Sequence, residues 1–255
     1  MGNLNDFILK ELEKRFPNYL KMGDECLVRK DYRRALEFYQ KAEAAQGSNP
    51  YLHYNWAACF FALEEYDAAI TRFKIAVKLK PDFTDAYINW GITLMNKHRL
   101  REAVKKFKQA SKIAPDDPKV YLNMGIVLEM LEYPEDAEEN FLKVLEKTSP
   151  TQEHGDLKAS NERIIALNKL ALLDMKKDKL QEAINKFQQI VKIDPKFAPA
   201  YYNLAIVHAN TGKDSKAIEN LAKAIDYDGS AFRRAKEEPA FKKLQNNEAF
   251  KKLIP

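Results

Sequence analysis

A period of 34 residues constrains this chain more than any other feature. Ala35, Ala69, Ala103 and Ala137 stand 34 residues apart, and after a break Ala183 and Ala217 do so again. Four residues beyond each Ala is a ring or a Leu: Tyr39, Phe73, Phe107, Phe141, Phe187 and Leu221. Twelve residues beyond three of them is a helix-stopping proline: Pro81, Pro115 and Pro195. Upstream, at fixed offsets, come a ring or large apolar residue, a second large apolar residue, then Gly or Ala, as in Tyr87, Trp90 and Gly91. Each period predicts two helices with apolar residues at i, i+3, i+4 and i+7. The Gly or Ala of the first helix and the Ala of the second let the two approach closely. One such hairpin cannot bury its own apolar face, so hairpins must stack, at least about three together.

The pattern resembles the tetratricopeptide repeat. We read six units, at residues 16–49, 50–83, 84–117, 118–151, 164–197 and 198–231; residues 84–117 match nearly throughout. His53, Asp174 and His208 depart from the usual residue types. The resemblance implies an all-α solenoid, a right-handed superhelix of six helical hairpins with capping helices at both ends. It also implies a protein-interaction module.

The organisation expected is therefore an N-terminal amphipathic cap at 1–15, four repeats at 16–151, an insertion at 152–163, two repeats at 164–231 and a basic cap at 232–255. Leu4, Phe7, Ile8 and Leu12 form one face of the first segment. The insertion opens as a polar Pro- and Gly-containing loop, and its later part is expected to lengthen the next helix. In the tail, Phe241, Leu244, Phe250 and Leu253 recur beside Lys pairs, and it resembles the ending of many tetratricopeptide arrays. Terminal repeats need such a cover with a polar outer face.

Composition narrows the function. The 255 residues carry 42 Lys+Arg against 37 Asp+Glu, a net charge of +5, which is too mild for a nucleic-acid reading. Much of that charge sits in the tail, at Arg233, Arg234, Lys236, Lys242, Lys243, Lys251 and Lys252. Two cysteines, Cys26 and Cys59, cannot make a disulfide framework. No stretch of about 18 apolar residues exists and no signal-peptide pattern opens the chain, so a cytoplasmic location is the default expectation. The four His are scattered, metal-ligand spacings and phosphate-binding Gly loops are absent, and Gly totals only eight. We expect no enzyme activity, no metal and no cofactor. Asp174 and His208, at positions between helices, read as structural.

In the resembling fold, the first helix of each hairpin lines a concave groove. The corresponding positions here hold an Asn series, Asn55, Asn89, Asn123 and Asn203, with Asn168 one residue out of step. A carboxamide both donates and accepts, so such a ladder suits an extended peptide backbone; the competing reading is bonding within the protein itself. Apolar residues at groove positions are Tyr51, Tyr54, Phe61, Ile88, Ile92, Met95, Leu122, Ile126, Met130, Leu172, Met175, Tyr202 and Ile206. The expected guest is a peptide or amphipathic helix of a protein partner. Two alternatives stand. One is a self-assembling scaffold of a bacterial organelle or of a secretion or pilus machine, a homo-oligomer formed through its N-terminal helix. The other is a chaperone or co-chaperone adaptor. Co-chaperones of the family clamp a C-terminal carboxylate, but the matching positions here are Leu20, Asp24, Asn55, Asp85 and Asn89, of which only Asn55 fits.

Overall fold

A computed structural model describes residues 18–149 and 157–254. Among them are fourteen α-helices, one 3-10 helix and no strand. The expected N-terminal helix and the loop part of the insertion lie outside the described residues. The chain divides into two compact units, one running to Leu131 and the other starting at Glu132.

The first unit holds α1 (Tyr19–Val28), α2 (Tyr32–Gln46), α3 (Pro50–Ala62), α4 (Tyr66–Leu79), α5 (Thr84–Asn96), α6 (Leu100–Ile113) and α7 (Pro118–Met130). Short polar side chains start several of these helices. Asn18, Asp31, Asn49 and Asp117 each accept a backbone N–H of the first turn, and Pro50 and Pro118 open α3 and α7. Pro81 and Pro115 fall two residues past α4 and α6 and stop them.

Packing follows the period. Ala35, Ala69 and Ala103 are fully buried, and Tyr39, Phe73 and Phe107 are at most 1% exposed. A Cβ built on Gly23 would lie 2.5 Å from the Tyr39 ring, and one on Gly91 would lie 2.5 Å from the Phe107 ring. The missing side chain is therefore what lets the ring of the second helix seat against the first. Ala57 takes the same place in the second repeat, at 0% exposure.

The second unit holds α8 (Pro134–Lys147), α9 (Leu157–Lys176), α10 (Leu180–Ile193), α11 (Ala198–Asn210), α12 (Asp214–Tyr227), α13 (Ala231–Glu237), a 3-10 turn (Pro239–Leu244) and α14 (Glu248–Leu253). α9 has 20 residues where α11 has 13, so the end of the insertion does extend this helix. The Arg163 guanidinium donates to the Leu145 carbonyl at 2.9 Å, satisfying an end of α8 that its own helix leaves open. In the tail, Phe241, Leu244 and Phe250, each at most 3% exposed, pack into one cluster with Tyr202, Ala205 and Leu221. Lys242, Lys243, Lys251 and Lys252 remain exposed.

The turn inside each hairpin needs a residue with left-handed backbone. Lys30, Glu64, His98, Glu132, Asp178 and Gly212 have φ between 56° and 69°, and they keep the same 34-residue register. After five of the six, the next residue closes the turn with a bond five residues back, as from Glu65 N–H to the Phe60 carbonyl at 2.8 Å. Only one of these six positions is Gly. Left-handed backbone costs a side-chain-bearing residue about 1–2 kcal/mol, against about 0.5–1 kcal/mol of extra unfolded-state entropy for Gly. Glu64→Gly and His98→Gly should each stabilise the protein by up to about 1 kcal/mol. Urea unfolding checks this: the midpoint should rise with an unchanged m-value.

Candidate functional site

The face formed by α3 and α5 carries the clearest candidate site. Ala58, Phe61, Phe73, Asn89 and Ile92 line a cavity of about 230 Å³. Phe73 is its buried floor, at 1% exposure. Phe61, Asn89 and Ile92, three of the groove residues expected from the sequence, meet there.

Three of the five Asn are engaged within the protein. Asn55 donates its Nδ2–H to Asp24 Oδ1 at 2.9 Å, and the Tyr39 hydroxyl donates to the same oxygen at 2.8 Å. Asn89 Nδ2 donates to the Tyr54 hydroxyl at 2.8 Å. These two bonds join each first helix to its predecessor. Asn123 instead bonds back to the Lys119 carbonyl of its own helix at 2.8 Å. Asn168 and Asn203 are half-buried, and the Asn168 carboxamide oxygen lacks a partner. Asn55, Asn89 and Asn123 thus share a register position but not a bonding pattern.

The apolar candidates divide. Ile88 at 4% and Leu122 at 7% are buried, because each faces its neighbouring helices, and neither offers surface to a guest. Tyr202, at 7%, lies under the C-terminal cap, edge-on to Phe241 with ring centroids 6.0 Å apart. Ile206 packs on the same cluster, and Leu172 and Met175 pack against the core of α9, α10 and α11. Tyr54, Phe61, Ile92, Met95 and Ile126 are half-buried. Tyr51 at 50% and Met130 at 44% are exposed. Tyr51 accepts from Lys80 Nζ at 2.8 Å.

His53 Nε2 lies 2.8 Å from the Gly47 carbonyl, and the Asp174 carboxylate accepts from Lys186 at 2.6 Å. Both residues serve structure. Burial and nearby Asp24 push the Cys59 thiol up to about 12, which keeps it protonated and unreactive at neutral pH. No helix among the described residues is long and apolar enough to cross a membrane. The sequence reading missed two cation–ring stacks, Arg72 over Trp56 at 3.4 Å and Lys106 over Trp90 at 3.6 Å. Their common 34-residue offset was the available signal.

Three tetratricopeptide-repeat family models match the chain, over residues 20–87, 171–212 and 198–230. The chain belongs to the tetratricopeptide repeat family. Protein STIP1 homolog of Dictyostelium discoideum is 29% identical over 80 residues, which covers 31% of this chain and only 14% of that protein. YrrB, described as a TPR protein with an unusual peptide-binding site, is 25% identical with a TM-score of 0.56, covering 78% of this chain and 98% of YrrB. PilF of Pseudomonas aeruginosa has a TM-score of 0.68 at 18% identity, covering 90% of this chain and 96% of its own. A repeat protein of Cytophaga hutchinsonii gives 0.68 at 18%, covering 92% and 93%. The last two show the shared tetratricopeptide fold.

The bond between Tyr39 and Asp24 makes stability depend on alkaline pH. Burial first, then the bond to Asp24, raise the Tyr39 phenol far above its ordinary 10.0. The folded protein keeps a proton that the unfolded chain loses, so this contribution is full below pH 10.0 and lost as pH rises beyond it. Tyr39→Phe should cost about 1–2 kcal/mol at neutral pH and make the alkaline decline shallower. Urea unfolding across both pH ranges tests both effects.

Proposed function

We propose that the protein is a non-enzymatic interaction scaffold that holds a peptide or helix of a protein partner on the face of its first helices. The observation that carries this reading is the cavity over Phe73, walled by Phe61, Ile92 and Ala58, with Asn89 at its edge. Its volume suits one apolar side chain of a guest. The bond to Tyr54 uses a single N–H of Asn89, leaving the other N–H and the oxygen for the guest's backbone. Exposed Tyr51 stands on the same helix as Phe61 and offers an anchoring ring. The likeness to YrrB, a protein described by its peptide-binding site, supports the same reading.

Ile92 is half-buried, so a carboxylate there can reach water in the free protein but not beneath a bound apolar side chain. Ile92→Glu should weaken partner capture at least about 100-fold, and Asn89→Ala about tenfold. Affinity capture on immobilised protein, with the bound species identified by mass spectrometry, measures this beside far-UV circular dichroism. The same partners held equally by a folded Ile92→Glu protein would remove this face as the site.

A further inference from the structure

Three register positions set the packing between successive second helices, and they are filled differently along the chain. In the second repeat they are Trp56, Phe60 and Arg72; Arg72 lies over Trp56 and pairs with Glu43 of the preceding second helix. In the third they are Trp90, Leu94 and Lys106, with Lys106 over Trp90. In the fifth, Lys186 reaches the Asp174 carboxylate, so a buried acid and a cation fill the place. The sixth repeat has Leu204, His208 and Asn220. Leu204 is smaller than Trp, and Asn220 turns back to the Lys216 carbonyl of its own helix at 2.8 Å. A cavity of about 430 Å³ results between α10, α11 and α12.

This cavity has a polar wall and an apolar floor. His208, only 7% exposed, lines it, and its Nδ1 has no hydrogen-bond partner. Ile184, Val191 and Leu204 supply the floor. Lys213 and Lys216 stand at the cavity without an ion-pair partner among the described residues, whereas Lys223 is paired with Glu219 at 2.8 Å. From α10 the polar groups facing in are the neutral amides of Gln181 and Gln188, and α11 adds the Tyr201 phenol. The local charge is positive, and the one buried polar atom left over belongs to a group that can donate.

We propose that this slot binds a carboxylate carried on a small apolar body, with His208 Nδ1–H, Lys213 and Lys216 around the carboxylate and Ile184, Val191 and Leu204 against the body. The fifth repeat contains the internal counterpart, since Asp174 and Lys186 place a carboxylate and an ammonium group at these same register positions. The site is separate from the face that α3 and α5 form, and it stands whether or not that face binds a partner. Binding also takes up a proton. Burial, then Lys213 and Lys216, hold the His208 imidazole below its ordinary 6.5, with Glu219 opposing them. A bound carboxylate favours the imidazolium, so affinity rises as pH falls towards 6.5.

The test is titration of the full-length protein with 3-phenylpropionate and with its neutral counterpart 3-phenylpropanamide, followed by backbone amide and His208 ring NMR signals. Saturable shifts confined to α10, α11 and α12, at least tenfold weaker binding of the amide, and several-fold tighter binding at the lower pH are expected. Lys216→Gln, an exposed change that leaves the fold intact, should weaken binding several-fold, and His208→Phe should abolish it. N-acetyl-alanyl-phenylalanine with a free or an amidated terminus separates the two sources of the group: tight binding of the free form assigns the slot to chain ends, and its failure beside bound phenylpropionate assigns it to small acids. Absence of saturable shifts, equal binding of acid and amide, or wild-type affinity in Lys216→Gln and His208→Phe overturns the proposal.

Discussion

The contact between a small residue and a ring, repeated every 34 residues, is what the rest of the structure depends on. Ala69 with Phe73 and Ala103 with Phe107 are sealed from solvent at the centre of each hairpin. Their close approach requires Gly or Ala on the facing helix, as the 2.5 Å contact of a Cβ on Gly91 with the Phe107 ring makes plain. A dense interior cannot absorb an added methyl without moving its neighbours. The same contact fixes which residues face outward, so the site on α3 and α5 inherits its geometry from it.

That contact is also why the fold was legible. Hydrophobic spacing and small residues report backbone packing directly, and prolines two residues beyond α4 and α6 mark where helices stop. The C-terminal cap was readable for the same reason, since Phe241 and Phe250 recur at helical spacing. The left-handed turns were not, because Lys, Glu, His and Asp occupy places where Gly would be the signal. Their regular register is visible only once the turn itself is seen.

The candidate site was legible in part. Residue type identified Asn89 as polar on the right helix, but nothing local says that its partner is Tyr54 of the preceding hairpin. Ile88 and Ile92 are one turn apart and chemically identical, yet one is 4% exposed and the other borders a cavity. Their difference comes from the neighbouring helices. Asn55 shows the same point: its amide serves a bond shared with Tyr39 and Asp24, so a polar residue in a groove position is spent before any guest arrives.

The hairpin turns have a consequence for how the chain reaches this state. Five of the six are closed by a bond to the fifth residue before, and each core alanine lies within four residues of its ring. Nearly everything a hairpin needs is therefore close by along the chain. Little loop-closure entropy stands in the way of a first folded hairpin. The repeats should consequently form fast and early, with α13, the 3-10 turn and α14 closing over a surface that already exists.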